Sequence, residues 1–118
     1  MPAQLSTHVL DTAQGCPASG MRIELWRLDD EDRKLLVALK TNADGRTEQP
    51  LLAAENMKTG QYEMVFFVGD YFAAKSTTIP KIPFLNRIPV RIGIADAGAS
   101  YHVPLLCSPW AYSTYRGS

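Results

Sequence analysis

The chain has 118 residues, 46% of them hydrophobic and 20% charged, with equal numbers of acidic and basic side chains and a formal net charge of zero. That length and balance describe a single domain, residues 1–118, that can bury an ordinary core, and they exclude a disordered chain. Without a basic excess there is nothing to neutralise a run of phosphates, so no nucleic-acid partner is expected; without a run of 18 apolar residues, no membrane span is expected either.

The opening residues, MPAQLSTHVLD, lack a basic stretch followed by an apolar one, and the ending is not of the Ser-Lys-Leu type. No targeting signal is therefore expected, and a cytoplasmic location is. LSTHVL reads as a first strand. Cys16 follows in a Gly-Cys-Pro turn, and Cys107 falls in an apolar strand near the end; both are expected as reduced thiols. MRIELWRL alternates with period two, with Met21, Ile23 and Leu25 on one face and Arg22, Glu24 and Trp26 on the other. RLDDEDRK is a charged hairpin loop leading to a weaker strand, Leu35 to Thr41, and Asn42-Ala43-Asp44-Gly45 is turn chemistry. A short strand is expected around Leu51 and Leu52. YEMVFFV then places Tyr62, Met64, Phe66 and Val68 together. Asp70 can cap a short helix over DYFAAKST.

Pro80, Pro83 and Pro89 suggest an extended crossing into PVRIGIAD, where Val90, Ile92 and Ile94 oppose Arg91, Gly93 and Ala95. YHVPLLC and the stretch Ala111 to Tyr115 are the last two strands. The pattern predicts an all-β, antiparallel two-sheet sandwich of about eight strands with one short helix.

Few residues carry chemistry. In the last long strand Tyr101, Val103, Leu105 and Cys107 form the more continuous apolar face and should turn inward. His102 then points outward beside Pro104 and Leu106, on a surface apolar enough to suggest an interface or a groove. His8 shares its face with Ser6 and Leu10. Two histidines without paired cysteines are too few for a zinc site. Arg46 follows the Asp-Gly turn. A Ser-His-Asp triad can be drawn from Ser118, a histidine and Asp11, but no serine sits in a nucleophile elbow. These residues alone favour a binding or structural sandwich over an enzyme.

Three longer stretches change that weighting: LSTHVLDTAQGCPA, TNADGRTEQPLL and YHVPLLCSPWAYSTYRGS. Together they resemble the transthyretin-related family, specifically its 5-hydroxyisourate hydrolases, from residue 5 to residue 118. The terminal Tyr-Arg-Gly-Ser is the most specific element. Hormone-carrying transthyretins share the Ser-Pro-aromatic-x-Tyr-Ser-Thr approach but replace the histidines, the arginine and the tail. The resemblance implies a transthyretin-like fold with His8, Arg46 and His102 as the catalytic set. It implies Tyr115, Arg116, Gly117 and Ser118 as the terminal signature that binds substrate. It also implies a homotetramer, a dimer of dimers, whose channel would be lined by Leu10, Pro104, Leu106 and Ser113.

The implied reaction converts 5-hydroxyisourate to 2-oxo-4-hydroxy-4-carboxy-5-ureidoimidazoline in urate catabolism, with no metal and no cofactor. A transthyretin-like carrier of a small ligand is the alternative. Two positions depart from the family pattern: Ser100, where many members have a histidine, and Cys107, where an aliphatic residue is common.

Overall fold

Period-two alternation in the sequence becomes alternating burial in the first strand, β1 (Leu5–Asp11). Leu5, Thr7, Val9 and Asp11 are buried, and Ser6, His8 and Leu10 are half-buried on the other face. The computed structural model describes residues 2–117. After β1 come β2 (Cys16–Pro17), β3 (Arg22–Asp29), β4 (Asp32–Lys40), β5 (Gly60–Phe66), helix α1 (Val68–Lys75), β6 (Ile88–Ile94), β7 (Tyr101–Cys107) and β8 (Tyr112–Thr114). They form two four-stranded sheets, ordered β2-β1-β7-β8 and β4-β3-β5-β6. The expected all-β sandwich with one short helix is present.

Its details differ from expectation in five places, the first being RLDDEDRK, whose residues mostly pair as strand because β3 runs to Asp29 and β4 starts at Asp32. β1 and β7 pair in parallel, although every other strand pair is antiparallel. Hairpins alone cannot make such a pair, so the chain builds the second sheet between its two partners. The Gly-Cys-Pro turn pairs as β2 with the end of β1. The segment at Leu51 and Leu52 makes only an isolated bridge, Leu5 to Leu52. Helix α1 begins at Val68, and no side chain caps it at Phe67. Asp70 falls in the first turn, where its charge still complements the helix dipole.

Between the sheets, Leu5, Val9, Ile23, Leu25, Met64, Phe66 and Leu105 pack with no exposed surface. Burying side chains of this size is worth about 1.5–3 kcal/mol each. One buried charge interrupts the apolar set. Asp11 accepts hydrogen bonds from Tyr71 Oη at 2.8 Å, from the Gln14 amide at 2.9 Å and from Gln14 Nε2 at 2.8 Å. Burial and the neighbouring Asp11 together push the Tyr71 phenol well above its ordinary pKa. The contact ties α1 to the end of β1. Cys107 lies buried beside this carboxylate, and its thiol is pushed up to about 12, first by burial and then by Asp11.

The outer face of the second sheet is closed by ion pairs. Arg33 and Arg91 both bond Glu63, at 2.9 and 3.0 Å, and Arg33 also covers the Trp26 ring. The outer face of the first sheet carries half-buried imidazoles and leucines instead.

Candidate active site

In the parallel β1–β7 ladder, Ser6 lies opposite His102, His8 opposite Pro104 and Leu10 opposite Leu106. Side chains two apart along a strand share a face. All six therefore look outward from one sheet, with the two histidines one step apart in register. The Leu10–Leu106 row continues to Ser113 on β8. Tyr101, Val103, Leu105 and Cys107 are buried on the opposite face, as the alternation predicts.

Arg46 arrives from the turn between β4 and β5. Asn42 organises that turn: its Oδ1 accepts from the amides of Asp44 and Arg46, at 2.9 and 3.2 Å. Gly45 has φ of 76°, a left-handed conformation that favours glycine. Its carbonyl accepts a hydrogen bond from the Val9 amide at 2.8 Å, which pins the turn to β1 immediately after His8. A Cβ at Gly45 would collide with the Val9 carbonyl and lie 3.3 Å from His8 Cδ2. Arg46 and Ser6 both line a shallow cavity of about 210 Å³, along with Gln4, Thr47 and Glu48.

The chain's last stretch divides around β7. Pairing of β8 with β7 stops at Leu105. Pro104, next in line, has no N–H to extend a ladder. The chain leaves β7 there and returns at Gly117, whose amide donates to the His102 carbonyl at 2.7 Å. A Cβ on Gly117 would come within 2.8 Å of His102 Cδ2, so glycine lets the backbone lie against the imidazole. Arg116 takes a different direction. Its guanidinium covers the Tyr101 ring at 4.1 Å and donates to the Ser100 carbonyl at 3.2 Å. With Tyr115 it lines a cleft of about 350 Å³ beside Val90, Ile92 and Val103, on the core-facing side of β7. Among the expected site residues, then, His8, Arg46, His102 and Gly117 converge, and Tyr115 and Arg116 face elsewhere. Ser118 lies outside the described residues.

His102 is the electrostatic centre. Its pKa is held below the ordinary imidazole value, first by burial, then by the charge of Arg46 and by the nearby His8 imidazole. The ring is thus kept neutral at physiological pH, and its Nδ1 lies 2.9 Å from Ser6 Oγ. Sequence reasoning did not single out Ser6. Alternation places it on the His8 face, but its contact with His102 depends on the β1–β7 register, which spans 96 positions. A neutral imidazole, a second imidazole and a guanidinium carried on a pinned turn can together move a proton and stabilise a developing oxyanion.

A family model for the HIUase/transthyretin family matches residues 5–117. The chain belongs to that family. Among curated members of the HIUase/transthyretin family, 5-hydroxyisourate hydrolase 2 of Rhizobium meliloti is 52% identical over 98% of this chain and 96% of its own length. The 5-hydroxyisourate hydrolase of Pseudomonas aeruginosa is 49% identical over 98% of this chain and 91% of its own. A solved (S)-allantoin synthase matches with a TM-score of 0.90 and 51% identity over 99% of this chain, which spans 45% of that longer one. Transthyretin from Sparus aurata superposes with a TM-score of 0.85 at 21% identity, covering 98% of this chain and 97% of its own, a likeness of fold.

Proposed function

We propose that this chain hydrolyses 5-hydroxyisourate to 2-oxo-4-hydroxy-4-carboxy-5-ureidoimidazoline in urate catabolism. One observation carries the reading: two histidines and an arginine from three separate segments meet on one half-buried sheet face, where the fold favours neutral His102. Two relatives named for this hydrolysis, similar over nearly the whole chain, support it.

The chemistry suits the residues. Water adds to a ring carbonyl, the carbon–nitrogen bond breaks, and the six-membered ring opens to a carboxylate and a ureido group. An imidazole that is neutral near pH 7 accepts water's proton, and the leaving nitrogen needs one back. In this reading His8 and His102 supply between them the base and a hydrogen-bond donor. The guanidinium of Arg46 holds ring carbonyls and the developing oxyanion. The proposed terminal signature, Tyr115, Arg116, Gly117 and Ser118, acts on the site in part from behind it: Gly117 touches His102, and Arg116 braces β7 at Ser100 and Tyr101.

The test follows the ultraviolet absorbance of freshly generated 5-hydroxyisourate. The wild-type protein should accelerate its decay, and Arg46→Ala and His102→Ala should each lower kcat/KM by about a hundredfold or more. Unchanged spontaneous decay with wild-type protein would favour a small-ligand carrier instead. Dialysis against a chelator should leave the rate intact, because the proposed reaction uses no metal or cofactor.

The same proposal includes a homotetramer. Half-buried Leu10 and Leu106, with Pro104 beneath, flank the histidines with apolar side chains on an outward face, as a subunit interface would. Sedimentation equilibrium should give four times the chain mass, and a monomer at assay concentrations would overturn this part. We also place the activity in the cytoplasm; recovery in a membrane or secreted fraction would contradict that.

A further inference from the structure

The structure assigns Ser6 as a positioning residue that fixes the tautomer of His102 with the proton on Nε2, so that His102 acts as a neutral hydrogen-bond donor and His8 is the base. The assignment rests on the hydrolase reading for its chemistry, and on two geometric facts and one electrostatic one for its direction.

First, Ser6 stands opposite His102 in the parallel ladder, and its Oγ lies 2.9 Å from Nδ1. Among the described residues that hydroxyl has no other hydrogen-bond partner. A hydroxyl brings one proton to donate. Donation to Nδ1 satisfies both groups within the protein; the reverse arrangement would leave the hydroxyl proton only the solvent of the shallow cavity. Second, the ring is held from two sides. Ser6 takes Nδ1, and the Gly117 backbone lies against the Cγ–Cδ2 edge, where an added Cβ would be 3.4 and 2.8 Å away. Nε2 is the nitrogen left to address a substrate. Third, the neighbouring Arg46 and His8 oppose a positive charge on this ring. It stays neutral, with a single N–H to offer.

Those facts divide the labour between the histidines. A neutral imidazole is a very poor proton donor in the full sense, since losing Nε2–H would leave an imidazolate. It is a good hydrogen-bond donor to a carbonyl that is becoming an oxyanion. In the assigned cycle His8 takes a proton from water as the water oxygen bonds to the ring carbonyl carbon. His102 Nε2–H and Arg46 hold the oxyanion. The carbon–nitrogen bond then breaks, and imidazolium His8 returns its proton to the leaving nitrogen. No proton passes through His102.

The tautomer can be read on the resting protein, without substrate. The chain has only two histidines, so nitrogen-15 NMR of the imidazoles, with His8→Gln to assign the signals, resolves His102. The expected spectrum has an unprotonated Nδ1 and a protonated Nε2 for His102 in wild type. Ser6→Ala should yield a tautomer mixture and a fall of about tenfold in kcat with KM nearly unchanged. Ser6→Thr keeps the hydroxyl and should restore both. A His102 protonated on Nδ1 in the wild type would overturn the assignment whatever the activity. So would a Ser6→Ala protein with unchanged tautomer and kcat. Failure of the hydrolase reading would appear separately, as wild-type protein that does not accelerate substrate decay.

Discussion

Arg46 opposes the protonation of His102, and that opposition can be measured. Replacing Arg46 by alanine removes the guanidinium charge that helps hold the imidazole neutral. The titration midpoint of His102, followed by proton NMR, should therefore rise part of the way towards the ordinary value of about 6.5. Burial is the larger cause, so the rise should be incomplete. Arg46→Lys keeps the charge and should keep the lowered midpoint; an unchanged midpoint in Arg46→Ala would mean that His102 does not sense this residue. The effect on stability has a definite sign. Because the folded pKa is lowered, the unfolded chain holds the proton more tightly. The neutral ring contributes stability above about pH 6.5, and that contribution is lost as pH falls through the lowered folded value.

Among the elements, β1 does the most, since it carries Ser6 and His8 outward and ends at the buried Asp11. Tyr71 on α1 supplies one of the three hydrogen bonds that make this carboxylate tolerable. Tyr71→Phe keeps the ring and removes only the hydroxyl. Urea unfolding should show a loss of about 1–3 kcal/mol, the cost of an under-satisfied buried acceptor. Equal midpoints and slopes for the two proteins would mean that solvent replaces the phenol. How well each element could be read from sequence follows from how local its cause is. Alternation in MRIELWRL and YHVPLLC made the inward and outward faces legible, because period two is a property of the strand alone. The cap position of α1 lies three residues before the expected one, because Asp70 resembles a cap, whereas the chain enters the helix at Phe67 without a side-chain cap. The parallel β1–β7 pair was not legible at all. Nothing within either strand specifies a partner some 96 positions away, and with that register went the contact between Ser6 and His102. The tail was legible only in part. Its motif pointed to the site, but which residues turn towards His102 depends on where the chain leaves β7.

For the molecule as a whole, the parallel pair means that one sheet is completed only after the other has been threaded between its central strands. β3, β4, β5 and β6 all lie between β1 and β7 in the chain. Pairings of such sequence separation are slow to form, because loop-closure entropy must be met before the contact repays it. His8 and Arg46 precede α1, while His102 follows it. Between α1 and β6 the chain runs through residues 76–87, where Ile82 is 89% exposed. A break in that segment would sort the machinery into two pieces: one bearing a base and a guanidinium, the other bearing the oxyanion donor and the tail. Neither piece alone should accelerate decay of 5-hydroxyisourate, and mixing them should restore turnover at a rate that depends on both concentrations. Turnover by either piece alone would contradict this division. The same register that hid the Ser6 contact from sequence thus makes the enzyme divisible, its catalysis a report that two separately made polypeptides have met.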